Sequence, residues 1–340
     1  MSIRKIAARA GVSIATVSRT LNAPEKVDPG TAARVKRAIA DLDYWPNLSA
    51  RALVTGRTRL IGLIVPSLIH SFFAELSQGL SRELRQDGFS LVVAPSDEDP
   101  AIEQEIIRQL LARGVDSLLI ASVQQDAASF KQLTKHHVPF ILLDRKIPGL
   151  STNFIGVDDE EVGRIATEHL IEIGCQRIAH VGGTQISTAL GRLRGYERTL
   201  QRHGIPLNPD YVIMANRMDE GADAAGYQAA LRLLSLDPAP DGIFCYNDPV
   251  AYGVMTALLD KGIRIPEDIA LVGSGNLHSD TFLPVPLSSV DQQSRRIGER
   301  AAQLAISLVK GDGQAPAHTT AVLLDPALVI RNSTKKTRHI

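Results

Sequence analysis

Short apolar runs recur along most of the chain and alternate with stretches that have helical periodicity. Nine such runs follow one another between residues 60 and 275, from LIGLIVP to IALVGSG. Continuously apolar strands are buried on both faces, and the amphipathic helices between them are the crossovers of parallel sheets. The pattern therefore predicts an α/β body made of parallel sheets covered by helices. Because such folds bind ligands beyond the carboxyl ends of their strands, we expect functional residues directly after the runs.

The first 46 residues have a different pattern, in which apolar residues recur at helical spacing. The run IRKIAARA predicts a first helix, after which Gly11 can take the positive φ of a tight turn. Ser13 can cap a second helix, IATVSRTLN, and a third begins at Asp28 and Pro29, an N-cap followed by proline. This layout predicts an all-α helix-turn-helix head, whose second helix enters the major groove of DNA. The spacing alone also fits an ordinary αα-hairpin.

The charges are divided unevenly between these two parts of the chain. The 37 basic and 37 acidic residues give a formal net charge of zero, but residues 1–59 hold eleven of the basic and only four of the acidic ones. The head is therefore basic and the body acidic. This asymmetry favours a polyanion as the partner of the head, although a basic face in contact with solvent alone gives the same count.

Two runs of sequence resemble a known family closely. GVSIATVSRTLN resembles the helix-turn-helix of the LacI/GalR family of bacterial repressors, and DYWPNLSARALVTGRTRLIGLIVP resembles that family's hinge and first body strand. The resemblance extends along essentially the whole chain. It implies a body like that of periplasmic binding proteins, with two lobes joined by three crossovers, and a homodimer that reads a pseudo-palindromic operator.

The resemblance also implies domain boundaries. The predicted domains are the head at 1–46, the hinge helix and linker at 47–59, the effector-binding and dimerisation body at 60–333 and a tail at 334–340. The first lobe is predicted to comprise 60–158 with 288–318, and the second 159–287 with 319–333.

The second helix carries the residues that the family uses to contact DNA. The predicted contacts are Ser13, Ile14, Ala15, Thr16, Ser18 and Arg19. Ile14, Ala15 and Arg19 occupy the base-reading positions, where an arginine can grip O6 and N7 of guanine with two donors. The hydroxyl residues suit phosphates, which set the register of binding. Ser18 is equally compatible with an ordinary surface hydroxyl.

The predicted hinge helix would place further contacts in the minor groove. These are Asn47, Ala50, Arg51 and Leu53, of which Leu53 matches the leucine that wedges between the central base pairs and kinks the duplex. The family often has lysine after this leucine, whereas this chain has Val54, which removes one expected minor-groove contact. A plain interdomain linker is the alternative interpretation.

Polar and aromatic residues follow the apolar runs of the body. The predicted effector contacts are Phe72, Phe73, Asp144, Arg145, Asp158, Arg192, Asn247 and Asn276. Carboxylates and amides accept from hydroxyls, arginine donates in a fork and a phenylalanine face covers the C–H side of a sugar ring, so a polyol is the expected ligand. By resemblance, Arg192 matches the principal ligand arginine. Arg192 as a surface charge and Asp144 as a turn cap are the alternatives.

One departure from the family bears on the effector. Where the family usually has an aspartate that holds sugar hydroxyls, the run VGSGN places Gly275. The loss of this acid disfavours a simple hexose as the effector and favours a sugar acid, a sugar phosphate or another metabolite. Asn276 and His278 are the candidates to take over the role of the missing acid.

Other classes of protein fit the sequence less well. No dinucleotide fingerprint, P-loop, nucleophile elbow or zinc-protease motif is present. Cys175 and Cys245 predict free thiols in a reducing compartment, without metal-ligand spacing. No apolar run is long enough to span a membrane, and residues 1–20 lack the features of an export signal. These absences disfavour a sugar kinase with a helix-turn-helix head and a secreted solute-binding protein.

The combined features predict a cytoplasmic, nucleoid-associated transcription regulator that is not an enzyme and uses no cofactor or metal. Its expected partners are double-stranded operator DNA, a second copy of the chain and a sugar, sugar acid or sugar phosphate as effector, with no membrane. The effector would act by its different affinities for two lobe arrangements, of which one holds the hinge helices together in the minor groove.

Overall fold

The structure, a computed structural model, describes residues 2–44, 56–214, 221–311 and 319–335. The chain forms two compact units, Met1–Thr58 and Arg59–Ile340. The first is the predicted head and the second is the predicted body. The tail predicted from residue 334 begins inside the fold, because Thr334 is buried and its Oγ1 lies 2.7 Å from Ser288 Oγ.

Within residues 2–44 the head forms three α-helices, α1 (Ile3–Ala10), α2 (Ile14–Asn22) and α3 (Pro29–Asp41), with a short 3-10 helix at Pro24–Lys26. Gly11 ends α1 with a φ of 64°, and the Ser13 side chain caps α2 by accepting from Thr16 N. Asp28 caps α3 in the same way, ahead of the proline at the first turn. Ile6, Val17 and Val35 are fully buried between the helices. The helix-turn-helix prediction is confirmed.

The described part of the body forms two six-stranded sheets. The first has the order β11-β5-β4-β3-β1-β2 with parallel pairing throughout. Its strands are β1 (Leu60–Val65), β2 (Ser90–Pro95), β3 (Ser117–Ile120), β4 (Phe140–Leu143), β5 (Asn153–Val157) and β11 (Ala321–Leu324). Its helices are α4 (Ser71–Gln86), α5 (Pro100–Ala112), α6 (Lys131–Lys135) and α11 (Ser294–Lys310), with a 3-10 helix at Ala127–Phe130.

The second sheet has the order β12-β10-β9-β8-β6-β7, with one antiparallel pair, β10 with β12, at its edge. Its strands are β6 (Ile178–Gly182), β7 (Val212–Met214), β8 (Gly242–Cys245), β9 (Ala270–Ser274), β10 (Ser288–Asp291) and β12 (Ala327–Val329). The helices are α7 (Asp159–Glu172), α8 (Ser187–Arg202), α9 (Ala222–Leu234) and α10 (Asp248–Asp260), with 3-10 helices at Pro209–Tyr211 and His278–Thr281. The predicted α/β architecture is confirmed.

The sheets that the last strands join differ from those that the predicted lobe boundaries imply. β10 was expected in the first lobe but pairs with β9 in the second sheet, and β11 was expected in the second lobe but pairs with β5 in the first. The chain therefore crosses between the sheets after β5, after β10 and between β11 and β12. Strands of three or four residues are too short for an apolar run to show which sheet they join.

Pairs of glycines let three pairs of helices cross in direct backbone contact. A Cβ at Gly163 of α7 would lie 2.1 Å from Arg192 O of α8, and one at Gly195 would lie 2.1 Å from Glu160 O. No side chain fits at such distances, so glycine is required at both positions. The same reciprocal arrangement recurs in α9 with α10 and in α4 with α11, at Gly226 with Gly253 and at Gly79 with Gly298.

A buried histidine makes the stability of the second lobe sensitive to acid. His180 of β6 is fully buried between the rings of Tyr196 and Phe244, with centroid distances of 5.4 and 4.7 Å. Burial lowers the pKa of His180 from 6.5 to about 4. The folded protein therefore holds this ring neutral, whereas the unfolded chain takes up a proton as the pH falls through 6.5. Acidification between those two values favours unfolding.

We expect the His180→Phe variant to lose this part of the pH dependence. Between pH 7 and pH 5, the free energy of unfolding of the wild type should fall by about 2 kcal/mol more than that of the variant. Urea denaturation at the two pH values measures the difference. Tyr196→Phe is the control, because it alters an adjacent ring without removing a group that titrates in this range. Equal falls in wild type and His180→Phe would contradict the prediction.

Candidate DNA interface and effector site

The exposed face of α2 carries the predicted base-reading residues. Ile14 is 44% exposed, and Ala15 and Arg19 are also exposed, whereas Val17 points into the core of the head. An exposed isoleucine at the start of a helix is an apolar surface available to a thymine methyl group. The face that these three side chains share is therefore suited to the major groove.

Two of the predicted phosphate contacts, Ser13 and Thr16, lie at the N-terminus of α2. Ser13 Oγ accepts from Thr16 N at 3.1 Å and lies 2.9 Å from Thr16 Oγ1, so both hydroxyls take part in the N-cap of α2. Ser18 is half-buried on the same helix. The backbone N–H groups of a helix N-terminus attract phosphate, which adds to what these hydroxyls offer. The hinge contacts Asn47, Ala50, Arg51 and Leu53, together with Val54, lie outside the described residues.

In the body, side chains from both lobes meet around a small cavity of about 20 Å³. It is lined by His70, Phe72, Phe73, Asp144, Arg145, Arg192, Tyr246, Asn247, Ser274 and Gln292. Six of the eight predicted effector contacts are therefore brought together. The rule that functional groups follow the carboxyl ends of parallel strands found most of this site.

Arg192 is buried at the centre of the site and is held on three sides. Its Nε donates to Asp159 Oδ1 at 3.1 Å, Nη1 donates to Tyr246 O at 2.7 Å and Nη2 donates to Gln292 Oε1 at 2.8 Å. The guanidinium also lies 4.6 Å from the centroid of the Tyr246 ring. Each of the two Nη atoms of Arg192 carries a second N–H, which these three hydrogen bonds do not use. Arg192 is thus pre-oriented to offer a fork to a carboxylate or to two neighbouring oxygens.

Asp159, and not the predicted Asp158, is the acid that contacts Arg192, and neither of the two lines the cavity. Asp158 is exposed and caps α7 by accepting from Glu160 N at 3.0 Å. Burial raises the pKa of Asp159 to about 7, against the effect of the Arg192 charge. The sequence placed the acid one residue too early, because the side-chain direction at the start of a helix depends on where the helix begins.

The other predicted acid lies on the first lobe. Asp144 and Arg145 directly follow β4, both are buried, and Arg145 Nε lies 4.0 Å from Asp144 Oδ2. The Arg145 guanidinium is 6.0 Å from the Phe73 ring centroid. Phe72 and Phe73 form an edge-to-face pair with a centroid distance of 5.2 Å. An apolar wall therefore adjoins the charged groups.

Asn276 lies outside the cavity, and the structure gives a reason for Gly275. Asn276 Oδ1 accepts from Arg331 Nη2 at 2.6 Å. Gly275 has a φ of 144°, and a Cβ there would lie 2.6 Å from Asp248 Oδ2. Asp248 is fully buried and accepts from Ser289 Oγ at 2.7 Å. Its carboxyl therefore occupies the space that a side chain at residue 275 would need.

Four lining residues were not predicted as contacts: His70, Tyr246, Ser274 and Gln292. His70 is buried and caps α4. Tyr246 follows β8 and could have been found by the rule of strand ends. Gln292 follows β10, whose sequence SSVD has no apolar run to mark it.

A larger cavity of about 590 Å³ adjoins the same histidine. His70 and Ile69 line it from the first lobe, and Tyr227 and Tyr252 from the second. Among the described residues, no group of three or more His, Cys, Asp or Glu side chains is arranged to hold a metal ion. In the same part of the chain, no helix has the length and apolar character to cross a membrane.

A helix-turn-helix head joined to a two-lobed body with a polar interlobe site defines a ligand-responsive DNA-binding regulator. A model described as bacterial regulatory proteins of the lacI family matches residues 2–47, and one described as periplasmic binding proteins and sugar binding domain of LacI family matches residues 58–330. The chain belongs to the LacI family of transcriptional repressors, and it is not an enzyme.

The chain is similar over its whole length to characterised members of this family. It is 30% identical to the HTH-type transcriptional repressor PurR of Haemophilus influenzae (strain PittEE) over 338 residues, covering 98% of each chain. The lac repressor dimer bound to operator and the anti-inducer ONPF matches with a TM-score of 0.85 and 27% identity, covering 98% of this chain and 99% of that one. A complex of the transcriptional regulator CelR with cellobiose matches with a TM-score of 0.74 and 28% identity, with the same coverage.

We expect the Asp159–Arg192 pair to behave as a buried ion pair. Asp159→Leu leaves the Arg192 charge buried without its carboxylate and should lower the free energy of unfolding by about 3 kcal/mol. The double variant Asp159→Leu with Arg192→Met should recover most of this loss, because no uncompensated charge remains. Urea denaturation at a pH above the pKa of Asp159, where its carboxyl is ionised, measures both. Arg264→Met, at the exposed pair with Asp268, is the control and should leave the midpoint unchanged. A double variant no more stable than Asp159→Leu would refute the assignment.

Proposed function

We propose that this repressor binds a pseudo-palindromic operator as a homodimer and responds to a small, carbohydrate-like effector held between its lobes. The observation that carries the effector part is the mixture of buried donors and acceptors on one cavity. Arg192 and Asn247 offer N–H groups, and Asp144 offers a carboxylate. Vicinal hydroxyls need both kinds of partner at short range. A sugar, sugar acid or sugar phosphate satisfies these requirements.

The similar proteins support this proposal. Cellobiose is the ligand of the CelR complex, and operator DNA is bound by the lac repressor dimer. A DNA partner in turn implies a location in the bacterial cytoplasm, at the nucleoid. We retain the head at 1–46 and the hinge at 47–59 as proposed domains. Within them, Ile14, Ala15 and Arg19 read bases, and the hinge residues enter the minor groove.

Selection of random DNA duplexes by the purified protein tests the proposed function. The selection is repeated with D-glucose, D-gluconate, glucose 6-phosphate, cellobiose and adenine. We expect recovery of a pseudo-palindrome, with one compound increasing or abolishing the recovery. Binding that is sensitive to salt but blind to sequence under every condition would refute the proposal.

Arg19→Ala, carried through the same selection, tests the assignment of a base-reading residue. The variant should lose its preference at one base pair in each half-site, with a discrimination there that falls by about 1–3 kcal/mol. Arg9→Ala is the matched control, because Arg9 lies on α1 and pairs with Asp41. An unchanged base preference in Arg19→Ala would show that this arginine does not read bases.

Exposed apolar side chains on both lobes supply a surface for the second copy. Ile69 and Phe282 are each 74% exposed. Ile69 lines the larger cavity together with Tyr252, whose hydroxyl contacts Ser279 and Asp280, close in sequence to Phe282. Within this proposal, these two exposed apolar side chains belong to one patch that a second copy covers. A second copy related by two-fold symmetry would match the symmetry of the operator.

Phe282→Asp should therefore convert the protein to a monomer. Placing a carboxylate in an apolar self-contact removes burial and sets two like charges near the symmetry axis. Sedimentation velocity measures the oligomeric state, and operator binding should weaken by at least tenfold because two half-sites are no longer read together. Leu207→Asp, at an exposed leucine after α8, is the control. A Phe282→Asp protein that remains dimeric would place the interface elsewhere.

A further inference from the structure

Asp159 contacts Arg192 from outside the small interlobe cavity. Its Oδ1 accepts from Arg192 Nε at 3.1 Å, and its side chain is 13% exposed. Arg192 lines the cavity, whereas Asp159 does not. Asp159 can therefore affect a ligand in the cavity only through its charge and through the position of Arg192.

Two uncharged acceptors also hold the Arg192 guanidinium in place. Nη1 donates to Tyr246 O at 2.7 Å, and Nη2 donates to Gln292 Oε1 at 2.8 Å. Asp159 adds what neither of these acceptors has, a negative charge next to the guanidinium. The effect of that charge can therefore be separated by experiment from the effect of the hydrogen bond.

The charge of Asp159 reaches across the guanidinium to a bound ligand. A ligand atom that accepts from an Nη atom of Arg192 lies roughly 7 Å from the Asp159 carboxylate, since each hydrogen bond spans about 3 Å. At an effective dielectric constant of about 20, two like charges at this distance repel by more than the energy of a tenfold change in affinity. A neutral ligand is not subject to this repulsion. Asp159 therefore weakens the binding of anions selectively.

The acid on the first lobe has a different role. Asp144 Oδ2 lies 4.0 Å from Arg145 Nε, and Asp144 itself lines the cavity. Its carboxylate can accept directly from ligand hydroxyls, which favours a polyol of any charge. Asp159 has no such access, so its influence on a ligand depends on the charge of that ligand.

We propose that Asp159 is a positioning residue for Arg192 that also sets the charge selectivity of the cavity. Its carboxylate offsets the charge of the guanidinium and so limits the preference of the site for an anionic ligand over a neutral one. The proposal rests on the proposed function and deepens it, because a residue that does not touch the effector then decides between a sugar acid or sugar phosphate and a neutral sugar.

Two neighbouring asparagine variants separate charge from structure. Asp159→Asn removes the charge and keeps an oxygen that can accept from Arg192 Nε. Asp158→Asn is the matched control, because it makes the same change of charge one residue earlier. Asp158 is exposed and is the N-cap of α7, where asparagine serves as well as aspartate.

Chloride tests the offset of charge without any effector. Chloride NMR line widths at pH 8 report anions bound to the protein. Asp159→Asn should show an excess line width over Asp158→Asn, because the charge of Arg192 is then not offset, and adding Arg192→Met should abolish the excess. Equal line widths in the two single variants would overturn the proposal. This outcome does not depend on any sugar or on operator binding, so failure of the proposal and failure of the proposed function are distinguishable.

Two matched sugars test the selectivity itself. D-Glucuronate and D-glucose share one ring and differ by a carboxylate. Titration calorimetry at pH 8 gives both dissociation constants, and their ratio should shift at least tenfold in favour of glucuronate in Asp159→Asn. The ratio in Asp158→Asn should equal that of the wild type. A merely structural role of Asp159 would weaken both ligands alike, so an unchanged ratio in Asp159→Asn would contradict the proposal.

The titration of Asp159 provides a test in the wild type. Burial raises the pKa of Asp159 to about 7, against the effect of the Arg192 charge, with smaller effects of Asp144 and Lys146. Below that pH the carboxyl takes up a proton and no longer offsets Arg192. The preference for glucuronate should therefore rise as the pH falls from 8 to 6 in the wild type and stay constant in Asp159→Asn.

The other groups at the cavity are the same in both proteins. The charged or titratable ones are His70, Asp144, Arg145, Arg192 and Tyr246. His70 and Tyr246 keep one protonation state between pH 6 and pH 8, because burial lowers the pKa of His70 to about 4 and raises that of Tyr246. A wild-type preference that does not change with pH, or one that changes equally in Asp159→Asn, would overturn the proposal.

Discussion

The effector site depends on the close crossing of α7 and α8. Gly163 and Gly195 bring the two backbones into contact, and a Cβ at Gly191 would lie 2.5 Å from Asp159 Cβ. This contact sets Asp159 beside Arg192, which in turn reaches Tyr246 O and Gln292. Groups from four separate segments are therefore organised by one guanidinium. A methyl group at this crossing would push α7 and α8 apart. Asp159 would then be separated from Arg192, on which these contacts depend.

Close crossings at glycine pairs also position the helices whose N-terminal residues face the cleft. Glycine pairs seat α4 against α11 and α10 against α9, and the N-caps of α4 and α10 are His70 and Asn247. A helix N-terminus carries a partial positive charge and consumes the acceptor atoms of its capping side chain. The two capping side chains approach each other across the cleft, with Asn247 Nδ2 3.4 Å from His70 Nε2.

Most of the architecture could be predicted from the sequence, because buried parallel strands are marked by apolar runs, and six of the eight predicted effector residues line one interlobe cavity. The failures have physical causes. β10 has a polar sequence because its buried serines, Ser288 and Ser289, form hydrogen bonds with Thr334 and Asp248. No apolar run therefore marked Gln292, and the lobe boundary was misplaced. Whether Asp158 or Asp159 contacts Arg192 depends on the residue at which α7 begins. Tertiary contacts determine both the sheet that β10 joins and which of the two acids contacts Arg192, and local sequence patterns do not show these contacts.

The departure at Gly275 has a consequence for ligand recognition. Asp248 fills the space beside Gly275 and pairs with Asp280, and burial with the adjacent Asp248 charge raises the pKa of Asp280 to about 9. Tyr252 donates to Asp280 at 2.8 Å. Asp248 accepts from Ser289 and Asp280 accepts from Tyr252, and neither acid lines the cavity that holds Arg192. The charged side chains that line that cavity are Asp144, Arg145 and Arg192, so two cations face one carboxylate. Within the proposed function, this excess of cations favours an anionic effector, such as a sugar acid, over a neutral hexose.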